Sequence, residues 1–76
     1  MNDNRRKRIQ ALLDRLEAIN TELEELAEEE RAAHDAMPEG LQSSEKGERA
    51  EQAATALETA TEQVADAITS LEEAKE

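Results

Sequence analysis

The chain contains no cysteine and no aromatic residue, and only one proline, one histidine and two glycines among 76 residues. Without cysteine there are no disulfides, no thiolate metal sites and no thiol nucleophile, and the redox compartment stays open. Without Phe, Tyr or Trp there is no platform on which nucleobases could stack. No apolar run approaches the ~18–20 residues of a membrane span, and no signal-peptide segment follows the basic start, so a cytoplasmic protein is expected. The catalytic inventory is nearly empty as well. His34 is the lone imidazole, and serine occurs only at Ser43, Ser44 and Ser70. No nucleophile, base and orienting group can be assembled from these, so neither an enzyme nor a cofactor is expected.

Large aliphatic residues are scarce too. Leu, Ile and Val number eight, three and one, and the net charge is -11. That balance matches the usual signature of disorder. The pattern argues otherwise. Ile9, Leu12, Leu16, Ile19, Leu23 and Leu26 step by three and four residues without a slip. Ala50, Ala53, Leu57, Ala60, Val64, Ala67, Leu71 and Ala74 do the same. Such spacing lays one apolar stripe along an α-helix, and disordered acidic chains do not keep it over several heptads.

Between the stripes lies Met37-Pro38-Glu39-Gly40. Proline lacks an N–H and disfavours helix in the residue before it, so the first helix ends by about Met37. Gly40 permits a positive φ, and Ser43 or Ser44 can cap the second helix. Leu41 is expected to plug the open end of the bundle. The sequence therefore predicts an all-α, antiparallel two-helix coiled-coil hairpin in a single domain, residues 1–76. The first helix is expected over about 4–35, capped by Asn2, Asp3 or Asn4. The connector follows over about 36–43 and the second helix over about 44–75.

With Ile9 as heptad position a, Leu13 and Ala27 fall at e, and Arg8, Arg15, Glu22 and Glu29 at g. On the second helix the acids keep to b, c and f. Its flanks are small or uncharged at Ala54, Thr61, Ala56, Gln63 and Ser70, with Ile68 widening the stripe. A stripe this wide suits a bundle better than a bare pair. A dozen aliphatic side chains also bury too little to hold a lone hairpin firmly. Self-association is therefore expected, through a seam of Ile9, Leu12, Leu16, Ile19, Leu23, Leu26, Leu57, Ala60, Val64, Ala67, Ile68 and Leu71. The alanines of the second seam predict a close helix contact around Ala60.

Three clusters carry candidate chemistry. Arg5, Arg6, Lys7 and Arg8 lie in a first helical turn, where cations face the positive end of the helix dipole. They read either as an anion site for a phosphate or nucleotide, or as partners of Glu72, Glu73 and Glu76 at the adjacent end of the second helix. Direct nucleic-acid binding is disfavoured by the net charge. The acidic run from Glu22 to Glu30 reads as a solvated coiled-coil face or, alternatively, as a mimic of DNA charge. Glu30 occupies an a position and calls for a partner, for which Arg49 is at the right height. Glu30 and His34 are four apart, but the metal-binding spacing Glu-x-x-His is absent, so no metal site is expected. Met37, Pro38, Leu41, Gln42 and Ser43 form a candidate contact site in the connector.

The stretch Met37-Pro38-Glu39-Gly40-Leu41-Gln42-Ser43-Ser44-Glu45-Lys46-Gly47-Glu48, followed by an Ala/Glu-rich helix ending Ser70-Leu71-Glu72-Glu73-Ala74, resembles small coiled-coil hairpin proteins of unassigned function encoded by bacteriophages and prophages. Those proteins share the basic start, the acidic leucine-rich first helix and the proline-containing connector. The resemblance implies a bacterial cytoplasmic setting and a role in binding and blocking a host protein, as a phage accessory or counter-defence factor. It assigns no functional residue. Two other functions stay open from the residues: an oligomeric sponge for a small anionic nucleotide, and a DNA-mimic inhibitor.

Overall fold

The computed structural model describes all residues, 1–76. Helix α1 spans Asp3–Asp35, a short α2 spans Glu39–Gln42, and α3 spans Glu45–Lys75. The chain is an all-α hairpin in which α1 and α3 pack antiparallel along their length. Each long helix starts with a side-chain cap, as its sequence requires. The Asn2 Oδ1 accepts from the Arg5 N–H at 2.8 Å, and the Ser44 hydroxyl accepts from the Gly47 N–H at 3.4 Å. Asp3 and Glu45 add negative charge to the first turns, and Lys75 adds positive charge to the last turn of α3, all favourable against the helix dipole.

The connector is more ordered than a plain loop. Pro38 starts α2, which turns the chain by packing over the beginning of α3. Gly47 makes that approach possible, since a Cβ there would lie 2.3 Å from the carbonyl oxygens of Leu41 and Gln42. Gln42 donates its side-chain amide to the carbonyls of His34 and Asp35 at 3.3 and 3.4 Å. Both carbonyls lie at the end of α1, where the regular helical donors run out, and the His34 carbonyl also accepts from the Met37 N–H at 3.1 Å. Gly40 does not use the positive φ open to it, because it is helical within α2. Leu41 plugs nothing; it is exposed, and Met37 is the half-buried apolar residue of the connector.

The seam between the helices differs from the expected one. On α1 the inward residues are Ile9, Leu13, Leu16, Asn20, Leu23, Ala27 and Glu30. On α3 they are Ala50, Ala54, Leu57, Thr61, Val64, Ile68 and Leu71. These are positions a and e of both heptads, not a and d. Leu12, Ile19 and Leu26, all at d, stay 46, 47 and 49% exposed, whereas Leu13 is 2% exposed. The exchange is uneven: on α3 the e row brings Ile68 inward where d offers only alanine, while on α1 the same roll gives up Leu12, Ile19 and Leu26 for Leu13, Asn20 and Ala27, leaving the larger side chains on an outer face. The same roll brings the b positions of the two helices within reach of one another.

The result is long and thin, 58 × 15 × 13 Å, with a radius of gyration of 17.2 Å where a compact chain of this length has about 11 Å. Its accessible surface is 5534 Å², against about 4,600 Å² for a compact monomer of the same mass. Leu13, Ala27, Ala50 and Ala54 are its only fully buried apolar side chains.

Candidate interaction surface

In an antiparallel pair joined through positions a and e, the b rows of both helices border one side of the seam and the d rows border the other. The hairpin therefore has two different faces, each contributed by both long helices.

The b face is polar and internally tied. Arg31 of α1 reaches over the seam to Glu58, with Nη2 to Oε1 at 2.9 Å and Nε to Oε2 at 3.3 Å, and donates Nη1 to Glu51. This fork is bidentate, the geometry that matches guanidinium to carboxylate best. The hydrogen bond from Arg31 holds the Glu58 carboxyl below the usual carboxylate range. Glu58, and next Glu51, push the guanidinium further up. His34 Nδ1 lies 3.2 Å from Asp35 and 3.6 Å from Glu51. Toward the other end, Lys75 donates to the Gln10 side chain at 2.6 Å. A groove of about 530 Å³ runs along this face beside Arg31, bordered by Glu24, Glu28, Asp35, Glu58 and Glu62. No group of three or more acids and imidazoles there is arranged to hold a metal ion.

The d face is apolar. Leu12, Ile19 and Leu26 form a ridge on α1 at seven-residue spacing, and Ala53, Ala60, Ala67 and Ala74 form a shallow row beside it on α3. The ridge is bordered on its outer side by Arg8, Arg15, Glu22 and Glu29, all exposed. None of the four has an ion-pair partner within the hairpin. At the open end of this face a hollow of about 220 Å³ is lined by Met1, Arg5, Arg8, Ile9 and Leu12.

The remaining sequence candidates are distributed as follows. Arg6 turns inward, donating Nε to the Lys75 carbonyl at 3.1 Å and pairing with Asp3 at 3.3 Å. Arg5, Lys7 and Arg8 stay exposed. None of the four basic residues pairs with Glu72, Glu73 or Glu76, because each is nearer to other partners or to solvent. Arg49 pairs with Glu45 one turn back on its own helix, so Glu30 does not receive it. In the connector, Gln42 is a structural cap, Ser43 donates to the Gly40 carbonyl at 3.4 Å, and Pro38 and Leu41 are exposed.

The Arg31, Glu51 and Glu58 cluster was not singled out from the sequence. The signal was present, since all three occupy b positions of opposite charge, but it becomes legible only once the seam is known to be a/e. No family model matches this chain, and no curated protein or solved structure matches it significantly. No helix is long and apolar enough to cross a membrane.

Proposed function

We propose that this chain is a non-enzymatic, self-associating helical hairpin that acts by binding a protein partner, as a phage accessory or counter-defence factor directed at a host protein. The observation that carries the self-association is the exposed ridge of Leu12, Ile19 and Leu26 beside a row of alanines. Three large aliphatic side chains in register on one face, in a chain with so few, are the largest unburied apolar resource it has. The phage setting rests on the connector resemblance.

Size-exclusion chromatography with light scattering tests self-association: a fully helical monomer at micromolar concentration refutes it. For the host partner, tagged wild-type protein is used to capture bacterial proteins, and a captured candidate is then purified and titrated directly. Direct binding of the purified candidate to the wild-type protein supports the reading, and a captured candidate that fails to bind directly refutes it.

A second reading is favoured by the hollow where Arg5 and Arg8 flank Met1, Ile9 and Leu12. A phosphate-bearing small molecule there would find two cations beside an apolar floor. Tight binding must raise the melting midpoint. A thermal-shift series with nucleotides that leaves the midpoint unchanged rules this reading out. DNA mimicry, the third function open from composition, is tested by competition with DNA for a DNA-binding enzyme.

A further inference from the structure

We infer that a second copy of this chain covers the d face, with α1 running antiparallel to α1 of the partner about a two-fold axis at Ile19. This rests on the self-association proposed above and specifies the surface, the direction and the pairing.

The hairpin exposes some 900 Å² more than a compact monomer of its mass. A standard stable interface buries about 800 Å² from each partner. The excess is thus the size of one such interface, and three of the five exposed large apolar side chains, Leu12, Ile19 and Leu26, lie on the d face.

Charge decides the direction. The row bordering the ridge reads Arg8, Arg15, Glu22, Glu29: two cations followed by two anions at seven-residue steps. A two-fold axis makes an interface self-complementary, so that if one residue meets a second, the second meets the first. With the axis at Ile19, Leu12 faces the partner's Leu26, since each lies seven residues, about 10 Å, from the centre. The same operation sets Arg15 beside the partner's Glu22 and Arg8 beside the partner's Glu29, within one residue of level. Four ion pairs form at once from charges that have no partner in the hairpin. A two-fold axis along the helices would instead lay α1 over α3 of the partner, whose bordering row is uncharged beyond Arg49, and would leave these charges unpaired.

On α3 the row bordering the alanines is Arg49, Ala56, Gln63 and Ser70, uncharged beyond its first member. It allows α3 to approach α3 of the partner closely while α1 meets α1. The hairpin seam and this face lie about 90° apart around each helix, the angle between neighbours in a four-helix bundle. Positions a and d then point together into one shared core.

The test uses charge exchange, read by light scattering with circular dichroism to follow helicity. Wild type is expected at twice the mass of one chain. Arg8→Glu with Arg15→Glu makes the row wholly acidic, and Glu22→Arg with Glu29→Arg makes it wholly basic. Each double variant is expected at the mass of one chain. An equimolar mixture of the two, and a single chain carrying all four changes, are expected to regain the doubled mass. Because the chain has no cysteine of its own, direction is read from Leu12→Cys and Leu26→Cys. Oxidising a mixture of the two is expected to link position 12 to position 26, with little linkage of either variant to itself. Double variants that keep the wild-type mass, a mixture that fails to recover it, or preferential linkage of Leu12→Cys to itself overturns this arrangement while leaving self-association standing. A wild-type monomer overturns both.

Discussion

Arg31 of α1 grips Glu58 of α3 with two parallel hydrogen bonds, at 2.9 and 3.3 Å, across the polar face of the hairpin. The pair marks which side of each helix turns outward, because both residues occupy heptad position b. Were the seam built from a and d, the two b rows would be rolled apart.

The pair gives stability a definite pH dependence. Arg31 lowers the folded-state pKa of Glu58. A lowered carboxylate pKa contributes stability that is present above the unfolded pKa and is lost as pH falls through the folded one. Glu58→Gln is therefore expected to melt below wild type at neutral pH, with the gap closing in acid below the usual carboxylate range. Both partners are partly open to solvent, so the gap should be small and should narrow in high salt. Thermal melts across pH and salt check this; a gap that widens in acid contradicts it.

Gly47 is required by packing. Alanine in a helix interior normally gains about 1 kcal/mol over glycine. At position 47 the added Cβ would meet two backbone carbonyl oxygens of α2 at 2.3 Å. Gly47→Ala is expected to cost ~1–3 kcal/mol, reversing the sign of the propensity. Gly40→Ala, with nothing within 4 Å of the new methyl, is the control and should be neutral or stabilising.

Adjacent leucines should respond differently. Leu13 is enclosed by the hairpin, so Leu13→Ala is expected to lower stability by ~2–4 kcal/mol at any protein concentration. Leu12 is half open within the hairpin. Leu12→Ala is expected to matter only where the protein self-associates, removing the concentration dependence of the melting midpoint. Melts over a hundredfold dilution series distinguish the two; identical behaviour would mean the d face takes no part in assembly.

Asn20 places a polar group in the seam, and its Oδ1 is buried without a hydrogen-bond partner. Leaving such an acceptor unpaired costs ~1–3 kcal/mol. Asn20→Leu is expected to raise the melting midpoint, by about 1–2 kcal/mol in stability, while loosening the choice of register that a polar seam residue imposes. A lower midpoint would show that the amide finds a partner in solution.

Much of this fold was legible in the residues alone. Two heptad stripes, a cap among Asn2, Asp3 and Asn4, another at Ser43 or Ser44, and Pro38 between them specify two long helices and an antiparallel return, because hydrogen-bonding and steric rules act within a few residues. The roll of each helix about its own axis is another matter. The apolar stripe of α1 covers a, d and e, wider than one neighbour can bury, so several rolls satisfy the pattern. Tertiary packing chose among them, and α3 turns its e side, with Ile68, inward rather than its alanines. That choice buries Leu13, leaves Leu12, Ile19 and Leu26 open, and brings Arg31 to Glu58. Arg49 pairs with Glu45 on its own helix, and Arg6 meets the Lys75 carbonyl at the end of α3 rather than its glutamates. Periodicity along one helix determines which residues share a stripe, whereas the neighbour's side-chain volumes and charges determine which edge of that stripe is buried.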